Sequence, residues 1–228
     1  MHLIVLAGGF GSRLKSILKN TPKALAPINN KPFLELQLDH WINQGISSFT
    51  FLLHYEAIQI INFLDDYKAL HKNECKFNYV TENKPLDTGG AILNAIKTLN
   101  IKDDFMVTNA DTWLDTGIKI ISESMPPTIL AVHLNDCSRY GTIKFDKNNT
   151  VLSFKEKSKS SSRGFINAGL MKLSPDIFLN IEKENFSLER DIFPYLVDNN
   201  LLKVLPINTF FIDIGVPEDY KIFCEKNK

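Results

Sequence analysis

A short apolar run in this chain ends abruptly in glycines: Leu3-Ile4-Val5-Leu6 leads into Ala7-Gly8-Gly9-Phe10-Gly11-Ser12-Arg13-Leu14. A strand buried on both faces reads as continuous apolar residues rather than as an alternation, so this run is expected to be a central parallel strand. Glycines at its end let the backbone approach a phosphate or base closely and aim N–H groups at anionic oxygens. The loop is not a dinucleotide fingerprint. Leu14 stands where that motif needs its third glycine, and no acidic residue closes the next strand, Ser48–Leu53, to hold a ribose. No Gly-Lys-Ser/Thr follows, so it is not a Walker A loop either.

Downstream the pattern alternates. Phe33–Gln44 carries Phe33, Leu34, Leu36, Leu38, Trp41 and Ile42, mainly on one helix face, with Gly45 as a C-terminal stop. Ser48–Leu53, Phe77–Val80 and Phe105–Thr108 read as strands, and Glu56–Tyr67 and Gly89–Leu99 as helices. The fold class expected is therefore α/β: a Rossmann-like, doubly wound, mixed but mostly parallel sheet flanked by helices. The second half is less regular. Thr128–Leu134, Gly141–Phe145, Val151–Lys155, Phe165–Leu173 and Phe210–Ile214 read as strands, and Ser174-Pro175-Asp176 and Ser187–Asp191 as helix starts. Ser158–Gly164 is the one low-complexity stretch and is expected to be a surface loop or lid. No linker separates two independent regions, so residues 1–228 are expected to form one domain.

Composition narrows the partners. Lys+Arg and Asp+Glu both number 26 in 228 residues, and a duplex-binding protein would carry a basic surplus to neutralise phosphates. A small anionic substrate needs only a few local cations. Cys75, Cys137 and Cys224 form no CxxC pair, which argues against a disulfide framework or a zinc site. The apolar start of the chain is too short for a signal peptide or a membrane span, so a cytoplasmic location without nucleic-acid or membrane partners is expected. Self-association into a homo-oligomer is left open.

Two further motifs supply charge. Thr21-Pro22-Lys23 puts a lysine ten residues after Arg13, and the two cations can surround a polyphosphate, Arg13 as a fork and Lys23 as a point charge. Asn109-Ala110-Asp111 closes one apolar strand and Asp213 another. Ligands of open α/β sheets gather outside the carboxyl ends of strands, and two hard oxygen donors there suit Mg²⁺, which fills its remaining coordination with water and phosphates. Each residue taken alone is equally well read as a solvated cation, a turn aspartate or a cap; the combination is what carries the argument.

Leu6–Leu14 together with Thr21-Pro22-Lys23 resembles the signature of the nucleotide-sugar pyrophosphorylase (nucleotidyltransferase) family. Leu86–Ala91, Asn109–Asp111, Phe154–Lys157, Asn167–Gly169 and Ile212–Gly215 are similar to its later blocks, in order, across essentially the whole chain. Pro32–Glu35, Arg139–Thr142 and Phe211–Tyr220 are most similar to the D-glycero-α-D-manno-heptose 1-phosphate guanylyltransferase branch. The resemblance implies transfer of a nucleoside monophosphate, from GTP in that branch, to a sugar 1-phosphate with release of pyrophosphate, and a place in surface-glycan synthesis. It implies a nucleotide-binding half, 1–112, and a sugar-phosphate-binding half, 113–228.

By the same resemblance, Leu6, Ala7, Gly8, Gly9 and Gly11 cradle the nucleotide, and Glu82 and Gly89 sit where the base is read. Arg13, Lys23 and Asp111 are the catalytic set, Asp111 and Asp213 bind Mg²⁺, and Glu156, Lys157, Asn167 and Gly169 line the sugar-phosphate pocket. Asp87 stands where the heptose enzymes are expected to have glycine, and Ala110 replaces a glycine before the aspartate. Glu82 or Asp87 can accept hydrogen bonds from guanine. A sugar phosphate is already largely dianionic at neutral pH, so no general base is required, and none of the five histidines falls in a motif. Three other readings stand beside this one: uridylyl, thymidylyl or cytidylyl transfer to another sugar 1-phosphate, a nicotinamide-dependent oxidoreductase, and a non-catalytic nucleotide-sugar sensor. The missing ribose acid disfavours the second, and the joint presence of Arg13, Lys23, Asp111 and Asp213 disfavours the third.

Overall fold

The computed structural model describes residues 1–18, 20–71, 75–155 and 163–228, with the main chain alone at residues 12, 15 and 16. In chain order the elements begin with β1 (His2–Leu6), α1 (Lys15–Leu18), β2 (Pro27–Ile28), β3 (Lys31–Pro32), α2 (Phe33–Asn43), β4 (Ser48–Leu53), α3 (Ala57–His71) and β5 (Lys76–Thr81). They continue with α4 (Asp87–Leu99), β6 (Phe105–Asn109), β7 (Thr112–Leu114), α5 (Ile118–Ser122), β8 (Thr128–Leu134), β9 (Thr142–Phe145), β10 (Val151–Lys155) and β11 (Gly164–Leu173). The last are α6 (Phe193–Asp198), β12 (Lys203–Ile207), β13 (Phe211–Asp213) and α7 (Pro217–Lys226). The architecture is the expected α/β one, a mixed and mostly parallel sheet flanked by helices. No helix among the described residues is long and apolar enough to cross a membrane.

The chain resolves into two compact units that interleave along the sequence. The first comprises residues 1–85, 108–113 and 212–228; the second comprises residues 86–107 and 114–211. In the first, β1 pairs with β4 and β4 with β5, all parallel, with Leu6 opposite Leu52 and Leu53 opposite Thr81. The apolar runs behave as a strand covered on both faces requires: Leu3, Ile4, Val5, Phe49, Phe51 and Leu53 have no exposed surface. Helix α2 buries Phe33, Leu34, Gln37, Leu38 and Trp41, one face at three- and four-residue spacing. Gly45 follows its end at φ +92°, the left-handed conformation that stops a helix.

In the second unit the ladders are mostly antiparallel. β11 pairs with β8 and β9, and β9 with β10, while β12 runs parallel to β8. β11 is irregular between Asn167 and Met171, where Gly169 has φ +74°. The segments expected as helix starts are short. Pro175–Phe178 is a single 3-10 turn, and Leu188–Ile192 is a π-turn capped by Ser187, whose side chain accepts from the Arg190 N–H. Helix α4 begins two residues earlier than its glycines suggest, at Asp87, which holds φ +61°.

Candidate active site

Within the first unit, three distant positions meet. Lys23 opens a 3-10 turn, Lys23–Leu25, behind Pro22, whose φ of −59° is fixed by its ring. Pro22 and Lys23 accept from the N–H groups of Leu25 and Ala26 at 2.8 and 3.0 Å, so the lysine leaves a closed turn in a defined direction. Its Nζ donates to Asp111 Oδ2 and, at 3.4 Å, to Asp213 Oδ1. The Lys23 side chain is 12% exposed, Asp213 19% and Asp111 34%, so the ammonium sits in a largely dry place while one carboxylate edge faces solvent. Coulomb attraction between such charges is several times stronger than in bulk water.

The two carboxylates are held by their backbones. Ala110 donates to Leu6 O at 3.0 Å, which ties the Asp111 turn to the end of β1, and Ile214 donates to Asp111 O at 3.0 Å, which ties the Asp213 segment to it. Gln37, 1% exposed on α2, donates from Nε2 to Thr112 O at 2.8 Å and to Asn109 O at 3.5 Å, so one side-chain amide spans the turn that carries Asp111. Asp213 Oδ1 also accepts the Gly215 N–H at 2.7 Å. A Cβ on Gly215 would lie 2.6 Å from both Asp213 Oδ1 and Lys23 Nζ, closer than atoms can approach. Gly215→Ala will therefore displace both charged groups. Turnover is expected to fall roughly tenfold from this misplacement with the fold retained, and a wild-type rate in steady-state pyrophosphate release counts against it.

The glycine loop lies in the same unit. Ala7 donates to Leu52 O at 2.9 Å, which fixes where the loop leaves the sheet. Gly11 turns at φ +60°, where L side chains are strained, and accepts from the Leu14 N–H at 3.0 Å. Gly8 and Gly9 precede it, Gly9 with open space where a Cβ would stand. Arg13 is exposed in the turn after the loop. Glu82 follows β5, and its N–H donates to Leu53 O at 2.8 Å. Leu6, Ala7, Gly8, Gly9, Gly11, Arg13, Lys23, Glu82, Asp111 and Asp213 thus all belong to the first unit.

The remaining expected positions lie in the second unit or outside the described residues. Gly89 is buried in α4, and its N–H donates to Phe186 O at 2.9 Å. Asn167 Oδ1 accepts the Gly169 N–H at 3.1 Å, so these two are coupled in β11. Glu156 and Lys157, and residues 158–162 of the expected lid, lie outside the described residues. Asp87 is not available in the way its sequence suggests. Its Oδ1 accepts the Thr88 N–H at 2.8 Å and its Oδ2 is held by Arg190 at 2.5 Å, so the carboxylate braces the start of α4.

Two residues escaped the sequence reading. Gln37 was legible in principle, because a polar side chain at i, i+4 spacing from Phe33 and Trp41 on a helix must be inside. His54, immediately after β4, bears on the glycine loop: its Nδ1 is 2.9 Å from Glu82 O, and its ring meets Phe10 edge-on at 5.4 Å.

Asp111 and Asp213 offer two hard oxygen donors of the kind Mg²⁺ takes, and in this structure the Lys23 ammonium sits between them. Among the described residues no cluster of three or more metal-ligating side chains occurs. A two-carboxylate site suits an ion that keeps the rest of its shell for water and phosphate oxygens.

Known proteins resemble this chain over its full length. The D-glycero-alpha-D-manno-heptose 1-phosphate guanylyltransferase of Campylobacter jejuni subsp. jejuni serotype O:2 is 38% identical over 233 residues, covering all of both chains. Among solved structures, HddC from Yersinia pseudotuberculosis superposes with a TM-score of 0.87 at 36% identity, over all of this chain and 99% of that one. Its complex with GMP-PN gives 0.85 at 35% identity, with the same coverage. The model of the nucleotidyl transferase family matches residues 2–226, and this chain belongs to that family.

Proposed function

We propose that this enzyme transfers GMP from GTP to D-glycero-α-D-manno-heptose 1-phosphate, giving the GDP-sugar and pyrophosphate. The full-length likeness to the Campylobacter guanylyltransferase carries the reading, and the GMP-PN complex of the Yersinia protein supports the nucleotide. The juxtaposition of Lys23, Asp111 and Asp213 supports the reading, since the reaction needs cations and metal-ligating carboxylates in one place. In the cell this makes an activated heptose in the cytoplasm for surface glycans such as capsule or lipopolysaccharide.

The chemistry is an in-line exchange at the α-phosphorus. An oxygen of the sugar phosphate forms the new P–O bond while the bond to the α–β bridging oxygen breaks, and that oxygen leaves with pyrophosphate. The nucleophile is mostly ionised at neutral pH, its second ionisation lying near pH ~6, so the protein need not remove a proton. Its task is to bring two anions together and to stabilise charge on the α-phosphate and the departing oxygen. Gly8, Gly9 and Gly11 cradle the phosphates with main-chain N–H groups, Arg13 forks onto the β- and γ-phosphates, and Lys23 supplies its charge at the α-phosphate. Asp111 and Asp213 would hold Mg²⁺, which when bound would supply neutralisation of phosphate charge. Glu82 is assigned to the base, and Glu156, Lys157, Asn167 and Gly169 to the sugar phosphate.

The test is a matrix of sugar 1-phosphates against GTP, ATP, CTP, UTP and dTTP, followed by pyrophosphate release. GTP with the heptose 1-phosphate is expected to give the highest kcat/KM. A pyrimidine triphosphate in first place ends the guanylyl reading and favours transfer to another sugar 1-phosphate. Release without any sugar phosphate would point instead to hydrolysis.

A further inference from the structure

His54 stands between two parts of the nucleotide site that are far apart in sequence. Its own Cβ packs against the glycine loop, where a Cβ on Gly8 would be only 3.2 Å away, and its ring edge meets Phe10. The loop is joined to the same segment by the Tyr55 N–H, which faces Gly8 O at 3.5 Å. On its other side Nδ1 lies 2.9 Å from Glu82 O. A carbonyl oxygen only accepts, so Nδ1 carries the proton in this contact. The neighbouring Glu82 N–H is taken by Leu53 O at 2.8 Å, so both main-chain polar groups of Glu82 are fixed, one by β4 and one by the residue that follows it.

We propose that His54 is a specificity-positioning residue: by clasping the Glu82 main chain to the glycine loop, it holds the Glu82 carboxylate in register to accept from the N1–H and N2–H₂ of guanine. Adenine presents no such pair of donors at that edge, so the register separates GTP from ATP. The inference rests on the guanylyl reading above. It assigns no proton transfer to the histidine, which acts through Glu82 alone.

Three variants separate this role from simple packing. His54→Asn puts an amide nitrogen where Nδ1 stands and keeps the donor. His54→Phe keeps a flat ring against Phe10 and loses the donor. His54→Leu loses the donor with a different shape, so a misfolded phenylalanine variant does not leave the question open. Thermal unfolding is to be followed together with kcat and KM for GTP and ATP at saturating sugar phosphate. For His54→Phe and His54→Leu, KM for GTP is expected to rise about tenfold, the worth of one neutral hydrogen bond, with kcat within about threefold. The GTP-over-ATP preference narrows by a similar factor, and His54→Asn stays within about threefold of wild type on every measure.

The proposal is overturned if the two donorless variants keep the wild-type KM and base preference, or if His54→Asn is as impaired as they are. A wild-type enzyme with no preference for GTP defeats the guanylyl reading itself. A GTP-selective wild type with indifferent donorless variants defeats only the role of His54.

Discussion

Lys23→Ala will lower turnover by at least about a hundredfold, with both substrates saturating. The variant removes the ammonium that bridges Asp111 and Asp213, and it does so in a site where the lysine is almost fully enclosed. Two effects follow from one deletion. Charge stabilisation at the α-phosphate is lost from the transition state, so kcat falls, not only binding. The carboxylates are also left facing each other unneutralised, so thermal stability should come to depend on Mg²⁺ more steeply in the variant than in wild type, because a divalent ion can take over the neutralisation. Single-turnover pyrophosphate release measures the first effect and thermal unfolding against Mg²⁺ concentration the second. A rate within tenfold of wild type would sink the assignment of Lys23.

Asp111→Asn will be comparably inactive for a different reason. Asparagine keeps the shape of the turn, since the bonds from Ala110 to Leu6 O and from Ile214 to the residue 111 carbonyl are made by the main chain. On the proposed reading, what is lost is the charge of one of the two carboxylates that would hold Mg²⁺ at the triphosphate. Turnover should fall about a hundredfold or more, the unfolding midpoint should move by only a few degrees, and added Mg²⁺ should not restore the rate. A variant that regains full activity in excess Mg²⁺ would reduce Asp111 to an affinity role.

The residues of this site are legible one by one, and the meeting of Lys23 with Asp111 and Asp213 follows only from the rule that ligands gather at strand ends and from the family resemblance. Lys23 and Asp111 are 88 positions apart and Lys23 and Asp213 190 apart, so no local pattern brings them together. Neighbouring strands do part of this: β1 and β6 lie side by side in the sheet, so Leu6 and the Asn109–Asp111 turn end together, while Asp213 closes β13, paired with β7 in a separate two-stranded sheet, and is tied to Asp111 by the Ile214 N–H. Elements whose signal is local periodicity were found closely, as for Ser48–Leu53 and Thr128–Leu134. Those with little burial were missed. α7 buries only Phe223, so no apolar face announced it, although Pro217 with Glu218 and Asp219 is a helix start on chemical grounds. β12 contains Pro206, which reads as a break; the strand pairs with β8 along its length and bridges Thr150 only at its start, at Lys203, before the proline.

Asp87 shows the opposite failure, a residue whose chemistry was visible and whose use was not. Its left-handed backbone does the work of a glycine, and Arg190, 103 residues away, absorbs the charge. His54 was passed over because its importance comes from the pairing of β4 with β5, which brings a residue after one strand beside a residue after the next.

The interleaving of the first unit has a consequence for biosynthesis. Residues 212–228 belong to the same compact body as residues 1–85, and they bring Asp213, while Asn29 clasps the carbonyls of Cys224 and Asn227 in their helix. A ribosome emitting this chain from its N-terminus therefore releases β1, the glycine loop and Lys23 long before the segment that finishes their surroundings. Termination after the glycine loop but ahead of Ile212 yields a polypeptide with that loop and without Asp213, so Lys23 and Asp111 gain their second carboxylate only once residues 212–228 have been made.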